Sequence, residues 1–186
     1  MRRVLSAARP LAIAVALLIL ITAGAAHAQE VRRITYNNVS VDVVIDRPAN
    51  YFVDVVIAYP GTVASDAEIL PAAMNVLTRV KEITDRTDMM FVSVAYPQGG
   101  RLLGDGIVEA EAALLWVKEK GRKELKRKIR KIFLVGHSQG GYMVTRLNTM
   151  HATDGVIANG PGPLNLVYRC GLEETGQAPP SAVCTL

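Results

Sequence analysis

Gly136-His137-Ser138-Gln139-Gly140 is the stretch on which the reading of the fold turns. A serine with glycines two residues to either side suits a tight strand-to-helix turn, because glycine removes the side chains that would collide there. The flanking sequence agrees. Upstream, Lys131-Ile132-Phe133-Leu134-Val135 is a short apolar run, read as a strand buried on both faces. Downstream, Met143, Leu147 and Met150 recur at helical spacing. Ser138 is therefore expected where a buried strand ends and a helix begins, its hydroxyl raised into a cleft. The competing reading makes Ser138 an ordinary helix N-cap in a Gly-rich turn. A nucleotide site is disfavoured: Gly104-Asp105-Gly106 lacks the third glycine of G-x-G-x-x-G, and no G-K-[ST] occurs.

Working outward, Val31 to Tyr36 and Val39 to Ile45 read as a hairpin broken at Asn37-Asn38. Phe52 to Ala58 is the next strand, ended by Tyr59-Pro60-Gly61, where proline and glycine turn the chain off the sheet. Ser65 and Glu68 have capping-box spacing. Ala73, Leu77, Val80 and Ile83 then mark a helix to about Arg86, which Pro71 either splits or begins. Met89 to Ala95 is a fourth strand, closed by Tyr96-Pro97-Gln98-Gly99-Gly100. Asp105 is the expected cap of a helix carrying Ile107, Ala110, Leu114 and Val117. After Ser138 and its helix, Gly155 to Ala158 is a last short strand, ending at Asn159-Gly160-Pro161-Gly162-Pro163. Helices alternating with short apolar strands predict an α/β fold, a mostly parallel sheet with helices on both faces and sites at the carboxyl ends of its strands.

The chain has 186 residues, half of them hydrophobic, enough for one domain with a sizeable core. Met1 to Ala28 opens on Arg2, Arg3 and Arg9, continues as the apolar run Leu11 to Ile21 and ends in Ala26-His27-Ala28. That is the pattern of a secretory signal peptide cleaved after Ala28, and the run is short of the roughly 20 residues of a spanning helix, so no stable membrane anchor is expected. Its loss removes three of the 21 basic residues and leaves a chain near neutrality, with 17 acidic ones. Lys118 to Lys131 still concentrates nine basic residues, but without interleaved aromatics it reads as a solvated helix end and loop, not a nucleic-acid surface. Cys170 and Cys184 are the only cysteines, and export makes a disulfide between them the expectation. Two cysteines and three scattered histidines offer no metal site, and no cofactor is expected.

From Val39 to Pro163 the chain resembles the α/β-hydrolase family, on GHSQGG as its nucleophile elbow, on the strand order and on Tyr59-Pro60-Gly61-Thr62 in the place of its oxyanion loop. The resemblance implies Ser138 as nucleophile, the backbone N–H of Gln139 as one oxyanion donor and that of Gly61 or Thr62 as the second, Pro60 having no N–H to give. It also implies an ester or amide substrate, a small molecule or a peptide. The family orders its triad as Ser, Asp or Glu, His. Here His151 lies ~20 Å along the helix from Ser138, thirteen residues at 1.5 Å each. His137 is expected to point away and pack, Asp154 lies at the wrong edge of the sheet, and Glu173 and Glu174 lie in a polar loop from which they could approach the cleft, although they read better as solvated charges. The chain is thus expected to be an N-terminal portion of such a hydrolase, last strands missing and inactive as written: leader 1–28, core 29–163, and 164–186 as a loop or the start of a lid. The alternative is a non-catalytic relative that keeps the fold for binding.

Overall fold

The computed structural model describes residues 29–84, 86, 88–99, 101, 104–161, 165–180 and 184. The expected leader and its cleavage point lie outside these residues, as do Gly100, Gly162 and Pro163. Six strands, β1 (Glu30–Tyr36), β2 (Val39–Asp46), β3 (Phe52–Tyr59), β4 (Met89–Ala95), β5 (Lys128–His137) and β6 (Gly155–Asn159), form one sheet in the order β1-β2-β4-β3-β5-β6. β1 and β2 pair as the expected antiparallel hairpin, and Asn37 and Asn38 take φ of 46° and 65° in its turn, a conformation asparagine tolerates. β2 runs antiparallel to β4, whereas β4, β3, β5 and β6 run parallel to one another. The parallel connections are made by α1 (Ile69–Thr84), α2 (Ile107–Glu124) and α3 (Gln139–Met150).

Alternation along the strands sorts the core into two layers. Val53, Val55, Ile57 and Tyr59 of β3 join Met90, Val92 and Val94 of β4, and Tyr96 just beyond it, beneath Leu114 and Trp116 of α2 and Met143 and Leu147 of α3. Val44, Val56 and Phe91 face the other way, against Ala73 and Leu77 of α1. Helices therefore cover both faces, as the alternation of elements predicts.

Several local expectations are corrected. β5 is longer than its apolar run and is not buried on both faces: Leu134 is buried, but Phe133 and Val135 are only half-buried. The cause is α1, which packs over β2, β3 and β4 and leaves β5 and β6 open on that side. An apolar depression of about 500 Å³ results, lined by Val80, Ile83, Phe133, Val156 and Ile157. Ile83 is 85% exposed at its rim, and Met150 is 45% exposed. Ser65 makes no side-chain cap; Asp66–Glu68 form a 3-10 turn, and α1 begins at Ile69. Pro71 neither splits nor starts the helix but is its third residue, where its missing N–H breaks no intrahelical bond. Gly106, not Asp105, is the N-cap of α2.

The basic segment is less of a loop than expected, since α2 runs to Glu124 and β5 starts at Lys128. Leu125 between them is buried, and Arg127 donates to the Pro48 carbonyl. Arg130 bridges Asp54 and Asp88 at 2.9 Å each, and Arg86 meets Asp88 at 2.7 Å. These ions tie the start of β5 to the starts of β3 and β4. The hydrogen bonds from Arg86 and then Arg130 hold the Asp88 carboxyl down at about 2.

Residues 166–174 form a helix, α4 (Leu166–Glu174), where a loop was expected, and Glu173 pairs with Arg169 at 3.0 Å within it. Asn165 Oδ1 caps it, accepting from the Tyr168 N–H at 3.0 Å. The Cys170–Cys184 disulfide is present and ties α4 to the chain beyond it.

Candidate active site

The turn at Ser138 is as tight as the glycines predict. Ser138 has φ 54° and ψ −119°, backbone that glycine takes freely and serine only under constraint. A Cβ on Gly136 would lie 2.1 Å from the Gly140 carbonyl oxygen, and one on Gly140 would lie 1.9 Å from that of Tyr59. Neither position admits any other residue without moving backbone. Ser138 N–H donates to the Asn159 carbonyl at 3.0 Å, and its own carbonyl accepts the first bond of α3, from Tyr142 N–H at 3.1 Å. The N–H groups of Gln139, Gly140 and Gly141 precede that bond and stand at the positive end of the helix.

The segment Pro60-Gly61-Thr62-Val63 runs against this elbow. A Cβ on Gly61 would sit 3.3 Å from Ser138 Cβ and 3.2 Å from the His137 carbonyl, so any side chain here would make the elbow give by a few tenths of an ångström. Thr62 Oγ1 donates to Gln139 Oε1 at 3.1 Å, which joins the two segments from which the oxyanion donors are expected. Behind the loop stands the end of β4. The Tyr96 hydroxyl donates to the Pro60 carbonyl, and burial pushes that hydroxyl well up, so it stays protonated and a donor. Gln98, largely buried, accepts from Val63 N–H at 2.8 Å and donates to the Gly61 carbonyl at 3.2 Å. Asp66 Oδ1 in turn accepts from the N–H groups of Gln98 at 3.2 Å and Gly99 at 2.6 Å.

His137 is exposed, contrary to expectation: still paired with Asn159 at the end of β5, it shares the strand face of Phe133 and Val135, which α1 leaves open. It lines an open cleft of about 520 Å³ together with Gly61, Thr62, Arg79, Ile83 and Asn159. His151 caps the opposite end of α3 and its Nε2 lies 2.6 Å from Glu111 Oε1, as its distance along the helix predicts. Asp154 is used structurally, accepting from Ile132 N–H at 2.8 Å at the start of β6. The structure thus brings Ser138, Gln139, Gly61 and Thr62 together and keeps His151 and Asp154 elsewhere. Among the described residues no group of three or more His, Cys, Asp or Glu side chains is placed to hold a metal, and no helix is long and apolar enough to cross a membrane.

Tyr96, Gln98 and Asp66 escape the sequence reading as parts of this site. The repeated aromatic-Pro ending at Tyr59 and Tyr96 is a signal that two turns lie at the same sheet edge, but nothing in it tells that one turn's side chains hold the other's peptides.

No protein-family model and no curated protein matches the chain. Solved structures do. Est1E from Butyrivibrio proteoclasticus aligns over 74% of this chain and 54% of its own with a TM-score of 0.57 and 16% identity. The chain has the α/β-hydrolase fold. An esterase from Pyrobaculum calidifontis aligns over 74% of this chain and 44% of its own, at TM-score 0.55 and 20% identity. Brefeldin A esterase, a bacterial homologue of human hormone-sensitive lipase, aligns over 87% and 52%, at 0.51 and 17%. At these identities the likeness to the α/β-hydrolase structures is one of fold, and this chain spans about half the length of each.

Proposed function

We propose that the protein is an exported serine hydrolase that cleaves an ester or amide through an acyl-enzyme on Ser138. The observation that carries this reading is the Ser138 backbone at φ 54°, held between two glycines that leave no room for a Cβ. Strain of this kind, of order 1–3 kcal/mol, persists where the surroundings impose it, and an ordinary N-cap requires none. In the reaction the Ser138 Oγ attacks the substrate carbonyl carbon while a general base takes its proton. The oxyanion accepts hydrogen bonds from Gln139 N–H and from Gly61 or Thr62 N–H, the alcohol or amine leaves with the proton, and water then releases the acid and restores the serine. His151 is engaged with Glu111 at the far end of α3 and does not serve as that base. Export is supported by the leader-like start and by the Cys170–Cys184 disulfide, a bond that persists in oxidising compartments.

An alkyl fluorophosphonate tests the reading on the protein expressed from its complete reading frame: a phosphonyl adduct on the Ser138 peptide is expected, and none in Ser138→Ala. A second reading, a binding protein that keeps the fold without turnover, is favoured by the commitment of His151 to Glu111. It predicts no adduct in the wild type, and binding of an ester in the cleft that Ser138→Ala leaves unchanged.

A further inference from the structure

We propose that Gln98 is the positioning residue of the second oxyanion donor, setting the Gly61–Thr62 peptide through a two-point clamp. This rests on the reading of Ser138 as a nucleophile. The side-chain amide of Gln98 meets the loop at two places, and chemistry fixes which end goes where. Val63 N–H is a donor and requires the Oε1 acceptor, at 2.8 Å; the Gly61 carbonyl requires the Nε2 donor, at 3.2 Å. An amide supplies one of each on one planar group at neutral pH, where a carboxylate only accepts.

The clamp has a consequence for the loop's other groups. In a planar trans peptide the C=O and the following N–H point in opposite directions, and no cis bond occurs among the described residues. With the Gly61 carbonyl drawn to Gln98, the Thr62 N–H is turned to the side of the loop away from it. The Val63 N–H is consumed by Oε1 and drops out as a donor to substrate. Tyr96 orients the preceding peptide in the same manner through the Pro60 carbonyl. Gly61 lies against the Ser138 side chain, so the peptide that Gln98 holds is the one beside the reacting oxygen. Gln98 is itself held, its N–H and that of Gly99 both donating to Asp66. A donor preorganised in this way loses no energy to reorientation as negative charge develops.

Gln98→Glu and Gln98→Met separate the two contacts, measured by the rate and half-saturation of Ser138 phosphonylation in the protein from its complete reading frame. In this step an Oγ–P bond forms, fluoride leaves and the serine proton passes by way of the base to solvent. A glutamate carboxylate still accepts from Val63 N–H but has no proton for the Gly61 carbonyl, and methionine makes neither bond. Both variants are expected to slow phosphonylation about 10- to 100-fold, with half-saturation unchanged. The Glu variant, not the Met variant, is expected to recover toward the wild-type rate at the same pH as the carboxyl protonates below about pH 5, since a carboxylic acid reproduces the amide's donor and acceptor. Variants that label as fast as a labelled wild type overturn the role of Gln98 and leave the nucleophile intact. A wild type that does not label at Ser138 overturns the hydrolase reading and this one with it. Should either variant fail to fold, hydrogen exchange of the wild-type Val63 amide decides: protection is expected, and exchange at the rate of an open loop overturns the clamp.

Discussion

Gly140 passes so close under Tyr59 that a Cβ on it would stand 1.9 Å from the Tyr59 carbonyl oxygen. The end of β3 and the first turn of α3 are in backbone contact, and this contact brings the Pro60–Val63 loop to Ser138. Gly140→Ala is therefore expected to destabilise the protein by on the order of 3 kcal/mol, as does overpacking against atoms that cannot yield. Thermal unfolding would show it as a fall of about 6–12 °C. Gly136→Ala, opposed by the Gly140 carbonyl at 2.1 Å, is expected to behave alike.

Ser138 itself sits in strained backbone, so its replacements should separate stability from chemistry. Ser138→Ala keeps the Cβ and the strain; Ser138→Gly removes both. The glycine variant is expected to be more stable than the alanine variant by about 1–2 kcal/mol in denaturant melts, while neither forms the phosphonyl adduct. Equal stabilities would mean that the turn imposes no strain.

The Cys170–Cys184 disulfide acts on a peripheral element. α4 has nine residues and, among the described residues, no extensive packing against the sheet, with Val167 and Tyr168 exposed at 86% and 66%. A helix this short is marginal in water without help. Reduction, or Cys170→Ser, is expected to melt α4, seen as a small loss of helical circular dichroism, with the main transition moved by less than about 2 °C. A disulfide closing a loop of this length contributes about 3 kcal/mol in a single cooperative unit, and a main transition shifted accordingly would place α4 inside that unit.

Asp88, held low by Arg86 and Arg130, gives the protein an acid-sensitive tie. Its folded-state value of about 2 lies below the ordinary carboxyl value near 3.9, so its contribution is complete above the ordinary value and is lost as pH falls from about 4 to about 2. Asp88→Asn should melt below the wild type at pH 6 and coincide with it near pH 2. Because Arg86 and Arg130 are about half exposed, high salt should narrow the gap at pH 6 as well.

Much of this was legible in the order of residues. Periodicity located every strand and the helices α1 to α3, and Gly136-x-Ser138-x-Gly140 located the elbow, because these are local patterns in which a residue's neighbours in sequence are also its neighbours in space. The expectations that failed did so where coverage is decided at a distance. Phe133 and Val135 read as core but are only half-buried, and Ile83 stands open, because α1 packs over β2, β3 and β4 instead. His137 reads as packed but is exposed, and α4 is a helix of only nine residues set between Gly- and Pro-rich stretches, a setting that reads as a loop.

A sharp turn announces itself in sequence because only glycine relieves the collisions it creates, and so the elbow and its strand context were set by composition and spacing alone. The clamp of Gln98 on Gly61 and Val63 spans some 35 residues and joins the ends of two strands adjacent only through sheet order. Tertiary structure alone decided it: a side-chain amide reaches its partners through the parallel pairing of β3 with β4, and pairing between distant segments leaves no periodic mark on either.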